Sequence, residues 1–352
     1  MATDPHSALG RYLAKLPYVL GHQLSDDQVV AGLFDPHGTA IAHATERWDP
    51  IGGPGRFTGR FAHALQDVGP IDHAVVVGYG PDGGAWACDL ATELREVFDA
   101  RSTVLHVQDG SWRVLDNLTE TWGPSTALPA QPPDIALLGT PEPAASRDDL
   151  VASVKPLPGP IFADLDHAKA THLASLSPAT CADLARSALD QLARGRVDNV
   201  PHQQSLAHLV NTSIIVRDAV LAHAIQGTQH RQRVDALVRT FRAAPSSLRP
   251  VLATTAAAAA FLTGWHPPQV EGLLRHTDPT DRLTHLVQLG HDRGANPAPA
   301  RRTILESADN QLQEAEAAWT TNQTAKRTTQ PTDARTSTQH PAEPPSTDTI
   351  GI

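Results

Sequence analysis

A chain of 352 residues has room for two domains of ordinary size, and its net charge of −10, with arginines never clustered beyond pairs such as Arg301 and Arg302, excludes a basic surface for nucleic acid or anionic membrane. Its two cysteines, Cys88 and Cys181, stand far apart in different halves, which argues against a disulfide framework or a thiolate metal site and fits a reducing cytoplasm. The opening MATDPHSALG lacks the features of a signal peptide, and the most apolar run, VLATTAAAAAFL, is too short to span a bilayer, so a soluble, cytoplasmic protein without membrane contact is expected.

In chain order, Leu9, Tyr12, Leu13 and Leu16 recur at helical spacing, with Asp4 and Pro5 as start signals and Pro17 as the expected stop. QVVAGLF and TAIAHATER then flank the turn DPHG, the pattern of a β-hairpin. A helix is expected over RFTGRFAHALQDVG, from Phe57, Phe61, Ala64, Leu65 and Val68, and an apolar strand over DHAVVVGYG. AWACDLATELREVFDA repeats the helical pattern, and the strands STVLHVQDG and SWRVLD follow it. Strand, helix, strand in this order predicts parallel neighbours, hence an α/β domain with a mixed sheet over residues 1–125.

Residues 126–160 are dense in proline, in LPAQPPD, TPEP and KPLPGP, and read as a connector holding one capped helical turn at SRDDLVASV. Beyond it the β pattern disappears, and an all-helical domain is expected over 161–320. Its first long helix, SPATCADLARSALDQLARG, carries Pro178 just inside its start, Gly195 at its end, and Cys181, Leu184, Ala185, Ala188 and Leu192 on one stripe. The segments TTAAAAAFLTGW, PPQVEGLLRHTDP and TDRLTHLVQLGHDRG fit either a tetratricopeptide-like hairpin or a plain helical bundle. From Thr321 to Ile352 the chain is rich in Thr and Pro and poor in large apolar residues, which predicts a disordered tail.

Several of these segments, taken in order, resemble an actinobacterial family known as domain of unknown function 4192. They are LPYVLG with VVAGL, AVVVGYG, VQDGSW, SRDDLVASV, VRDAVL and the long RPVLATTAAAAAFLTGW…VEGLLRHTDPTDRLTHLVQLGHDRGANP, together covering roughly residues 5 to 300. The resemblance implies an α/β plus helical protein and carries no activity, so no functional residue is transferred by it.

Candidate chemistry is sparse. GYGPDG satisfies Gly-x-Gly-x-x-Gly after a strand and before a helix, which makes Gly78, Gly80 and Gly83 a candidate phosphate cradle with Asp109 as a ribose partner. Pro81 removes a donor there, Asp82 adds negative charge, and Asp109 falls later than the usual acidic partner. The 18 histidines include no His-Glu-x-x-His and no helical i, i+4 pair; only pairs joined across the fold, such as His63 with His73, remain. No Gly-x-Ser-x-Gly elbow exists. Cys88 lies near a helix start, where a dipole lowers a thiol pKa, but lacks a positioned base, and Cys181 belongs to an apolar stripe. Asp26 with Asp27 and Asp148 with Asp149 read as capping and solvated residues rather than a catalytic pair.

No catalytic residue, metal site or cofactor is expected. The sequence favours a non-enzymatic interaction or accessory protein using its helical domain as contact surface, with a protein partner or a second copy. Trp112 and Trp122, together with the hairpin, are candidates for a homodimer surface. The alternative is a protein or enzyme that binds a nucleotide or phosphorylated metabolite around Gly78, Gly80, Gly83 and Asp109.

Overall fold

The computed structural model describes residues 5–48, 58–59, 70–116, 118–129, 142–165, 167–195 and 199–329. Apart from Thr58 and Gly59, the helix expected around residues 56–69 lies outside them, as does the Pro-rich stretch 130–141.

Helix α1 spans Pro5–Leu20 and runs through Pro17 instead of stopping there. A helix-interior proline costs about 3 kcal/mol. Here Leu13, Leu16 and Leu20 form one buried stripe, each burying enough surface to offset a good part of that. The helix ends at Gly21, whose φ of 82° turns the chain and whose N–H donates to Pro17 O at 2.8 Å.

Strands β1 (Gln28–Phe34) and β2 (Ala40–Arg47) form the expected hairpin. Asp35 closes its turn by accepting from the N–H groups of His37 and Thr39. Strand β3 (His73–Tyr79), helix α2 (Gly83–Phe98) and strand β4 (Arg101–Gln108) make the crossover unit, and β3 and β4 pair in parallel as the order of elements requires. Strands β5 (Ser111–Asp116), β6 (Thr121–Trp122) and β7 (Thr126–Ala127) complete a seven-stranded mixed sheet ordered β2-β1-β3-β4-β5-β6, with β7 on β5.

Alternation along the strands sends side chains to two cores. Val29, Ala31, Leu33, Ala74 and Val76 pack under Leu90 and Leu94 of α2. Val30, Val75, Val77, Leu105 and Trp112 pack under Leu13 and Leu16 of α1. Helices on both faces leave the central strands nearly all buried, which explains their unbroken apolar runs.

The connector is tied to both regions. Ala144 pairs with His22 beside Gly21, and helix α3 (Arg147–Ala152), capped by Ser146, packs on the helical region. There follow α4 (His167–Ser175), α5 (Pro178–Arg194), α6 (Val200–Val210), α7 (Ile214–Ile225), α8 (His230–Ala243), α9 (Arg249–Leu262), α10 (Pro267–Leu274), α11 (Arg282–Asp292) and α12 (Pro297–Thr329).

Helix α9 is the axis of this region. Its alanine run, Ala256 to Ala260, has no exposed surface, and α6, α7, α8, α10, α11 and α12 all contact it. Small side chains let so many helices approach one another closely, so the arrangement is a bundle and not a stacked repeat. Helix α12 continues to Thr329, nine residues into the expected tail, with Thr320, Thr321 and Thr324 hydroxyls donating to carbonyls one turn back.

Candidate functional site

The glycine-rich turn after β3 is occupied by the chain itself. A Cβ on Gly78 would lie 1.7 Å from the carbonyl oxygen of Gly83, one on Gly83 would lie 2.5 Å from the carbonyl carbon of Gly78, and one on Gly80 would lie 2.1 Å from Asp26 O. The glycines permit backbone to meet backbone. Their donors are also taken: Gly80 N–H binds Val107 O at 2.9 Å, and Gly83 N–H binds Gly80 O at 3.1 Å. Asp109, exposed at φ 49°, forms with Gly110 the two-residue turn between β4 and β5.

Nor do the remaining sequence candidates assemble a reaction centre. Burial and the neighbouring Asp89 push the half-buried Cys88 thiol up rather than activating it, and Cys181 is 4% exposed in the helical core. His73 faces Thr103 Oγ1 at 3.0 Å, while His63 lies outside the described residues. Among the described residues, no group of three His, Cys, Asp or Glu is placed to hold a metal ion. Asp149 serves the Ser146 cap, and Asp27 and Asp148 flank Arg47. Trp112 is 2% exposed in the sheet core, so it is not available to a dimer surface, and Trp122 packs on His106.

A different site stands out in the helical region. A cleft of about 1040 Å³ opens between α7, α9, α11 and α12. Helix α7 starts at Ser213, whose hydroxyl accepts from Val216 N–H, and this cap sets Ile214 at the rim and Arg217 one turn further in. Arg217 is 7% exposed. Its Nε donates to Asp218 Oδ1 at 2.9 Å and its Nη1 to Asp281 Oδ2 at 2.7 Å.

Asp281 has a second task, since its Oδ1 accepts from Leu283 N–H as the cap of α11. The ion cluster therefore fixes α7 against the start of α11, and a bond between Thr254 and Thr284 fixes α11 against α9. Burial pushes the Asp218 carboxyl up, even with Arg217 beside it. Val251, Leu283, Ile304 and Ala308 supply apolar wall, while Ile214 and Leu286 stand 66% and 53% exposed. Such a mixture, apolar walls with a few converging polar groups, is what binding clefts present.

A second buried ion cluster serves packing. Asp190 Oδ1 accepts from His223 Nε2 at 3.0 Å and from Arg233 Nε at 2.7 Å, joining α5, α7 and α8. Burial acts to raise Asp190, but these two donors hold it below the usual carboxylate range. No nucleophile adjoins it among the described contacts.

The cleft was signalled in the sequence by IIVRDAVLAHAI, an apolar helix interrupted by one Arg-Asp pair. A charge in so apolar a segment must be paired on folding. Its second partner, Asp281, lies 64 residues on, too far for spacing to reveal. Neither a family model, nor a curated protein, nor a solved structure matches the chain.

Proposed function

We propose that the chain is a non-enzymatic interaction protein whose helical region receives an apolar segment of a protein partner in the cleft between α7, α9, α11 and α12. One observation carries this reading. Among the described residues from 161 onward, the two most exposed large apolar side chains are Ile214 and Leu286, and both line this one cleft. Isolated exposed aliphatic residues are ordinary, whereas two beside a cleft with a buried guanidinium at its floor make a contact surface. The nucleotide or phosphorylated-metabolite alternative at Gly78, Gly80, Gly83 and Asp109 is disfavoured because the donors of Gly80 and Gly83 are spent within the chain.

Membership of domain of unknown function 4192 belongs to the same proposal, on the order of the shared segments. Cytoplasmic residence does too; no described helix is long and apolar enough to cross a membrane.

The test is selection of displayed peptides on the intact chain, counter-selected on a variant carrying Ile214→Asp and Leu286→Asp. The reading expects apolar peptides that lose binding to the variant and protect amides of α7 and α11 from exchange. Peptides that bind both proteins equally would refute it.

A further inference from the structure

A separate pocket of about 480 Å³ lies on the α/β region, where α1 crosses the hairpin turn. Tyr12 and Phe34 form two of its walls, with ring centroids 5.9 Å apart and planes at 61°. His73 extends the Phe34 side at 6.5 Å, and His43 stacks against Tyr12 at 5.8 Å. Burial lowers the pKa of both imidazoles, so these rings are neutral near pH 7. The Tyr12 phenol is likewise pushed up by burial and stays un-ionised. Its hydroxyl has no hydrogen-bond partner among the described residues and sits over Gly32, where a side-chain Cβ would come within 2.1 Å of it.

The charge in the pocket is acidic. Asp72 is paired with Arg101, and the two cancel. Asp35 is not paired with a cation among the described residues: Oδ1 accepts the two turn N–H groups, and Oδ2 has no protein partner there. A lining of aromatic faces with one uncancelled carboxylate attracts a cation that is large, weakly hydrated and without obligatory donors. An anion would be repelled by Asp35, and a purely apolar guest would strip water from Asp35 with nothing in return. We propose that this pocket binds a small, free quaternary ammonium compound, held against Tyr12 and Phe34 with its charge facing Asp35.

The experiment is calorimetric titration of the full chain with choline and with its uncharged isostere 3,3-dimethylbutan-1-ol, at about pH 8, where histidine charge is removed. Choline is expected to saturate, and to bind at least about tenfold more tightly than the isostere. Asp35→Asn retains Oδ1 for the turn and is expected to lose about tenfold; Phe34→Leu retains bulk and is expected to lose a similar factor. Thermal unfolding of each variant checks that it is folded. Equal binding of choline and isostere, no saturation by choline up to about 10 mM, or unchanged affinity in both folded variants overturns the proposal. Phosphatidylcholine vesicles and a trimethyl-lysine peptide distinguish other sources of the same group. Binding to either of these without binding to free choline also overturns it.

Discussion

Replacing Arg217 by Met removes the guanidinium that holds the floor of the helical cleft. The Arg217 side chain is 8% exposed, while its partners Asp218 and Asp281 are 29% and 21% exposed. Breaking a fully buried ion pair costs about 3–5 kcal/mol, because the remaining charge is stranded. Partial access of water to both carboxylates lowers this, and about 2–4 kcal/mol is expected at pH 7. In a region of this size that is a fall in Tm of roughly 4–16 °C. The pH dependence gives a sharper test. Asp218 already has a folded pKa above its ordinary 3.8, so the fold favours its protonated form and loses that preference as pH rises through the folded value. Without Arg217, which acts to lower Asp218, the folded value rises further. The difference in stability between wild type and variant should therefore shrink from pH 7 to pH 5. Urea unfolding followed by circular dichroism at both pH values measures it. A loss below about 0.5 kcal/mol, or one that does not shrink on acidification, would refute the ion-cluster argument.

At the glycine turn, Gly78→Ala drives Cβ into the backbone of α2 and should cost at least about 3 kcal/mol, whereas Gly110→Ala, at φ 70° in open space, should cost about 1 kcal/mol. Equal thermal shifts would contradict the packing role of Gly78. Burial lowers the pKa of His22, His43, His73, His208, His223, His266 and His276. The unfolded chain then binds more protons, so stability is fully present above the ordinary imidazole value of 6.5 and is lost as pH falls below it toward the folded values. Unfolding free energy measured between pH 7.5 and pH 5.5 should rise with pH, and a flat profile would count against it. Gly272→Val places its Cβ where Val154 Cγ2 is 2.5 Å and Val151 O is 2.8 Å away, so α3 should detach and proteolysis within 142–165 should accelerate without loss of overall helicity.

Local pattern made most elements legible. The hairpin at Asp35 to Gly38, the apolar β3 and β4, and the Ser177–Pro178 start of α5 each carry their signal within a few residues. Local pattern departs from the fold where a distant contact outweighs a local rule. Pro17 stops a helix in isolation, but the stripe of Leu13, Leu16 and Leu20 is held by the sheet beneath it. Thr321 to Thr329 has little reason to order alone, yet it extends a helix already anchored by Arg186 on Asp309 and by Glu316 on Ala179 N–H, and propagation costs far less than nucleation. The glycines of GYGPDG match a phosphate loop in spacing, and only the approach of α2 to β3, and of Asp26 to Gly80, shows that their space is filled by the chain itself. The order in which β1 enters between β2 and β3 is likewise a matter of long-range pairing.

On the proposed function, the cleft bearing Ile214 and Leu286 is where a protein partner docks. The most direct measurement is photo-crosslinking in the native cell, with a photoactivatable residue at Leu286 and, as control, at Val97 of α2, which is 49% exposed against 53% for Leu286. A discrete polypeptide adduct at Leu286, absent at Val97 and lost when Ile214→Asp is added, is the predicted result. Adducts of equal yield at both positions, or none at Leu286, would contradict the claim.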